Sequence, residues 1–119
     1  MNEFVLLFRM DILTKEAQPS PEQMIVYLKQ WSEWVDGISA KNRLAPGGNH
    51  LSSKGKVIKP NNVVINGPYV ANKESIAGYI IIKAKNMDEA VSIATDCPIL
   101  QGEGTSVEVR KVDAMKDNS

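Results

Sequence analysis

The first apolar run of the chain puts Phe4, Leu6, Phe8 and Met10 on one side of an extended strand and Val5, Leu7 and Arg9 on the other. Both sides are largely apolar, which predicts a strand over Phe4–Met10 buried on both faces. A helical period follows. Met24, Leu28, Trp31, Val35 and Ile38 recur at spacings of three and four and form one apolar stripe. Ser20-Pro21-Glu22-Gln23 starts this helix: Ser20 caps, Pro21 suits the first helical position and Gln23 completes a capping box. Gly37 costs about 1 kcal/mol inside a helix. The period nevertheless continues to Ile38, so the helix is expected to run to Lys41, with Asn42 as a left-handed cap.

The middle of the chain is less regular. Pro46-Gly47-Gly48 interrupts Arg43–Leu51, which predicts an irregular, kinked strand. Lys56–Lys59 and Val63–Ile65 read as a hairpin turned at Pro60-Asn61-Asn62, with Val63–Ile65 expected to be buried. Asn66-Gly67-Pro68 then breaks the ladder, because Gly permits a positive φ and Pro lacks an N–H. After the polar segment Asn72–Ser75, a buried strand is expected over Gly78–Ala84. Asn86-Met87-Asp88-Glu89 caps a second helix with the stripe Ala90, Ile93, Ala94 and Cys97, ended by Pro98. Thr105–Val112 alternates as a final strand. Residues 1–113 read as one domain, and 114–119 as a flexible polar tail.

This order is the ferredoxin-like α+β pattern: an antiparallel sheet with two helices on one face, plus a small β-hairpin. The opposite face carries Val5, Leu7 and Ile81 and needs a cover. The same face of a second copy supplies it most simply, giving a homodimer built as a dimeric α+β barrel.

Composition narrows the function classes. Lys and Arg number 14 and Asp and Glu 14, so the net charge is zero. Nucleic-acid binding through a broadly basic surface is therefore not expected. No stretch approaches the roughly 20 apolar residues of a membrane span, and the lone Cys97 allows no internal disulfide. A cytoplasmic protein is expected. One His and one Cys, far apart, make no zinc pattern, so neither metal nor cofactor is expected.

Alternation puts Arg9, Tyr79, Glu108 and Arg110 on the helix-free face. A ligand pocket is expected between that face, the Pro46–Ser53 segment and the Asn66–Ser75 corner. Ser53 and Tyr69 are further candidate contacts, and a small organic anion is the expected ligand. The same charges would equally suit the rim of the dimer interface. His50 is the only histidine and the natural general acid or base, although a loop histidine can also simply cap a turn. Trp31 belongs to the core stripe, with Trp34 flanking it toward an interface or a pocket wall.

The corner Asn66-Gly67-Pro68-Tyr69, together with Lys73-Glu74, Gly78-Tyr79, Asp88-Glu89-Ala90, Cys97-Pro98 and Val107-Glu108-Val109-Arg110, resembles the YCII-related family in its Asp-Gly-Pro-Phe (DGPF) branch. The resemblance implies the dimeric α+β barrel and an active-site histidine at His50. It also implies a motif aspartate at the position that Asn66 occupies here. Asn66 can orient an imidazole but cannot stabilise its cation by charge; Asp36 and Glu74 are the other carboxylates to consider. The resemblance points to two functional classes. One is a small-molecule enzyme of isomerase or lyase type, by analogy with muconolactone isomerase-like and dehalogenase-like barrels. The other is a non-catalytic ligand-binding or accessory module.

Overall fold

In the computed structural model, which describes residues 1–14 and 18–113, strand β1 (Asn2–Asp11) runs through the interior of a four-stranded sheet. The expected tail over 114–119 lies outside the described residues. Helix α1 (Pro21–Ala40) follows, then the short strand β2 (Asn49–His50), the hairpin β3 (Lys56–Lys59) and β4 (Val63–Asn66), and the long strand β5 (Glu74–Ala84). Helix α2 (Met87–Thr95), a 3-10 turn at Pro98–Gln101 and strand β6 (Thr105–Lys111) complete the chain. The sheet order is β2-β5-β1-β6, with every neighbour antiparallel, and β3-β4 forms a separate two-stranded sheet. This is the expected ferredoxin-like α+β arrangement. No helix among the described residues is long and apolar enough to cross a membrane.

Local chemistry sets the helix ends. The Ser20 side chain accepts from the Gln23 N–H, and the Gln23 side chain accepts from the Ser20 N–H. The α1 helix ends before Asn42, whose φ is +57°. The Asn86 side chain accepts from the Glu89 N–H at 2.9 Å. Instead of closing the second capping box, Glu89 turns to Arg43, whose Nε donates to it at 3.0 Å.

Alternation decides the two faces of the sheet. Phe4, Leu6 and Phe8 of β1 and Ile80, Ile82 and Ala84 of β5 are buried on the helix side, with Val107 and Val109 of β6 packed against them. Val5, Leu7, Tyr79 and Ile81 stay half-buried on the other side, paired as Val5↔Ile81 and Leu7↔Tyr79.

Three expectations change. First, β5 starts at Glu74 rather than Gly78, and its register with β1 shifts between Phe8 and Arg9: Phe8 pairs with Gly78, Arg9 with Ile76, and Ala77 is the extra residue. A one-residue bulge reverses the side-chain parity beyond it. Glu74 and Ile76 thus join Arg9 on the helix-free side. Second, the β3–β4 hairpin is not buried; Ile58 is 76% exposed, and Val63, Val64 and Ile65 are exposed too. Third, α1 is rotated from the face its stripe predicts. Met24 (37%) and Leu28 (49%) are exposed, while Tyr27, Trp31 and Trp34 pack on the core. Phe8 draws both tryptophans in, with edge-on ring centroids at 4.6 and 6.0 Å. Trp34 also donates through Nε1 to the Ile93 carbonyl of α2 at 3.3 Å. Trp34 thus ties the two helices together and does not stand beside the core.

Candidate functional site

Glycines decide where His50 goes. Gly47 and Gly48 have φ of +106° and +105°, and a Cβ on Gly48 would lie 2.9 Å from the Tyr79 carbonyl oxygen. Gly78 lies equally close, since a Cβ there would meet the Asn49 oxygen at 2.8 Å. Two side-chain-free positions thus let β2 lie tight against β5. In this register His50 pairs with Gly78, and Gly78 pairs with Phe8, so His50 shares the helix-side parity of Phe8. The imidazole sits beside the Trp31 indole, with ring centroids 5.7 Å apart and planes inclined at 48°.

These two rings border a cleft of about 440 Å³ between α1 and the β2–β5 edge. Phe8, Leu28, Val35 and Leu44 supply apolar wall, while Ser32 and Asp36 add polar groups from α1. Tyr79 borders the same cleft. The three salt bridges among the described residues, Arg9–Glu108, Arg43–Glu89 and Arg110–Glu108, leave His50 out. The arrangement offers a π-face, an imidazole and a carboxylate to one small molecule.

The charged residues expected beside His50 lie across the sheet from it. Arg9 donates to Glu108 from Nη2 at 2.8 Å, and Arg110 donates to the other carboxylate oxygen at 3.2 Å. Hydrogen bonds from Arg9 first, and then from Arg110, hold the Glu108 carboxyl below its ordinary value. Arg9 and Glu108 border a second cavity of about 790 Å³ on the helix-free side, together with Ser52, Lys54, Lys56, Tyr69 and Glu74. Arg110 is exposed and lines neither cavity. Ser53 lines neither cavity, although its neighbours Ser52 and Lys54 line the second. Asn66 ends β4, paired with Lys56, and also lies outside both linings. The single pocket expected from the sequence is therefore two cavities. Strand parity separates them: His50 is in register with Gly78, whereas Asn49 is in register with Tyr79.

The corner that resembles the family motif is held by hydrogen bonds and contributes Pro68 and Tyr69 to the second cavity. The Gly67 N–H donates to the Gly55 carbonyl at 2.8 Å, and the buried Ser75 hydroxyl donates to the Tyr69 carbonyl at 2.7 Å. Sequence reasoning passed over Ser32 and Lys56. The available signal for the first was the i, i+4 pair Ser32 and Asp36, polar positions on the helix beside Trp31.

The profile of the YCII-related domain matches residues 9–113. Among curated proteins, none matches the chain. Among solved structures, a 5-chloro-2-hydroxyhydroquinone dehydrochlorinase from Burkholderia phenoliruptrix, in complex with 2,5-dihydroxybenzoquinone, is similar at 17% sequence identity and a TM-score of 0.42, over 88% of this chain and 90% of that one.

Proposed function

The chain belongs to the YCII-related family, and we propose that it is a small-molecule enzyme in which His50 moves a proton on a substrate held against Trp31. One observation carries this reading: the only histidine, a tryptophan face and the Asp36 carboxylate border the same cleft. A volume of about 440 Å³ suits a small organic molecule. Trp31 favours a planar or cyclic one, because a ring stacks on its π-face. An imidazole near such a ring serves proton abstraction, isomerisation or elimination, chemistry that needs no group beyond a base and an orienting partner. Asp36 makes neither a hydrogen bond nor a salt bridge with His50, so its carboxylate is offered to the substrate across the cleft rather than to the imidazole.

The Asn66-Gly67-Pro68-Tyr69 corner supports placing the chain in the DGPF branch of the family. A homodimer through the helix-free face belongs to the same proposal. Val5, Leu7 and Ile81 are half-buried on that face, an apolar set that a second copy would cover. Sedimentation equilibrium should give a dimer at micromolar concentration, and a monomer would refute this part.

A thermal-shift screen of small cyclic carbonyl compounds and lactones tests the site, since a ligand bound to the native state raises its melting temperature. Hits should lose their shift in Trp31→Leu and be turned over by the parent but not by His50→Gln. Hits that bind the parent without turnover would make the protein a binding module. Shifts insensitive to both substitutions would remove the cleft from consideration.

A further inference from the structure

We infer that the cavity on the helix-free side is a second ligand site, separate from the His50 cleft, and that it takes a singly charged organic carboxylate. Its charge balance comes first. Arg9, Lys54 and Lys56 face Glu74 and Glu108 around the lining, which leaves one net positive charge. The acids are already engaged: Glu108 accepts from Arg9 and Arg110, and Glu74 accepts from the Ser106 hydroxyl at 2.6 Å. Lys54 and Lys56 take part in none of the salt bridges among the described residues. They are the charges left for a ligand, and one net positive charge matches one carboxylate better than a dianion.

Backbone hydrogen bonds fix the main chain that carries these exposed lysines. The Leu51 N–H donates to the Ala77 carbonyl at 2.8 Å, and the Gly55 carbonyl accepts from Gly67 at 2.8 Å. The segment bearing Ser52, Lys54 and Lys56 is thus pinned to β5 on one side and to the Asn66–Tyr69 corner on the other. Ser52 Oγ accepts from the Lys54 N–H at 3.2 Å, which leaves its own proton to donate. The β5 bulge matters here too. It turns Glu74 and Ile76 toward this side, and bulges re-aim side chains in this way beside binding sites. Leu51, Pro68, Tyr69 and Ile76 give the lining an apolar part that inorganic anions would not use. An apolar ring bearing one carboxylate satisfies both halves of the wall.

Benzoate is the probe, and benzamide is its neutral counterpart of the same shape. Amide chemical shifts of the 15N-labelled full chain are followed as each is added. Benzoate should shift Ser52–Lys56 and Tyr69–Ile76 saturably, and benzamide should not. The double variant Lys54→Gln/Lys56→Gln, whose spectrum in the absence of benzoate reports its fold, should bind benzoate at least about tenfold more weakly, as expected for loss of charge-assisted hydrogen bonds. His50→Gln should bind it unchanged, which separates this result from the acid–base proposal. Equal shifts from benzamide, undiminished binding in the double variant, perturbations confined to His50 and Trp31, or no saturable shift would each overturn the inference.

Discussion

Two glycine-to-alanine substitutions should move stability in opposite directions, and the contacts around each glycine decide the sign. At Gly78 an added Cβ would sit 2.8 Å from the Asn49 carbonyl oxygen and 3.3 Å from the His50 Cα. Both are backbone atoms, so neither can swing away as a side-chain tip would. Overpacking of this kind costs about 1–3 kcal/mol. The alternative is for β2 to detach from β5. Detachment gives up the pairing of Asn49 and His50 and the Leu51 bond to Ala77, at about 0.5–1.5 kcal/mol net for each hydrogen bond. The two routes cost similar amounts, so Gly78→Ala should destabilise by roughly 2 kcal/mol. At Gly37, inside α1, nothing lies within 4 Å of an added Cβ. Alanine there should stabilise by about 0.5–1 kcal/mol, because it restricts the unfolded chain and suits a helix. Urea unfolding followed by Trp31 and Trp34 fluorescence reads both. With a slope of about 1–3 kcal/mol per molar urea, the Gly78→Ala midpoint should fall by about 1 M and the Gly37→Ala midpoint should rise by a few tenths. If β2 detaches, the nuclear Overhauser contact between the His50 and Trp31 rings should weaken as well. A Gly78→Ala protein as stable as the parent, or two variants that shift the same way, would refute the steric argument and the close docking of β2 that rests on it.

Three further outcomes follow from the geometry. Gly67 holds φ +93° with no atom within 4 Å of an added Cβ, so Gly67→Val should cost about 1–3 kcal/mol through backbone strain alone; an unchanged melting temperature would show that the turn relaxes freely. Glu108 has its carboxyl held below its ordinary 4.5 by Arg9 and Arg110. Its contribution to stability is present above that value and lost as pH falls through the lowered one, so the melting-temperature gap between the parent and Glu108→Gln should be widest at pH 7 and close in acid; a gap independent of pH would contradict the pairing. Burial pushes the Cys97 thiol up to about 12, so at pH 8 a disulfide reagent should modify it only at the rate at which the protein opens, and prompt modification of the native protein would show the thiol to be accessible.

The sequence carried much of the fold because its strongest signals are local. The Ser20–Gln23 capping box, the Asn42 cap and the alternation of β1 and β6 each depend on a few neighbouring residues, and the structure keeps them. What stayed hidden depends on partners distant in sequence. The extra residue at Ala77 leaves no trace in Ile76-Ala77-Gly78 itself; only pairing with β1 reveals it. The α1 stripe through Met24 and Leu28 is regular, yet Phe8 supplies an edge-on contact that turns Trp31 and Trp34 inward. The residues Val63-Val64-Ile65 have strand chemistry but only β3 to pair with, and so stay exposed. The candidate site divides in the same way. His50 stands out by composition, being the only histidine. Its face depends on a two-residue strand pairing across Gly78, and a register one residue away would have turned it toward Arg9 and Glu108.

Deuterium exchange on a ligand bound in the Trp31 cleft reads proton transfer by His50 itself. The ligand is incubated in deuterated buffer with the parent or with His50→Gln, and incorporation at its acidic carbon is followed by proton resonance. If His50 moves the proton, the parent should speed incorporation well above the buffer rate and His50→Gln should lose about 100-fold or more of that acceleration, with ligand affinity and melting temperature unchanged. Equal incorporation by the two proteins would contradict the assignment of His50 as the acid–base group.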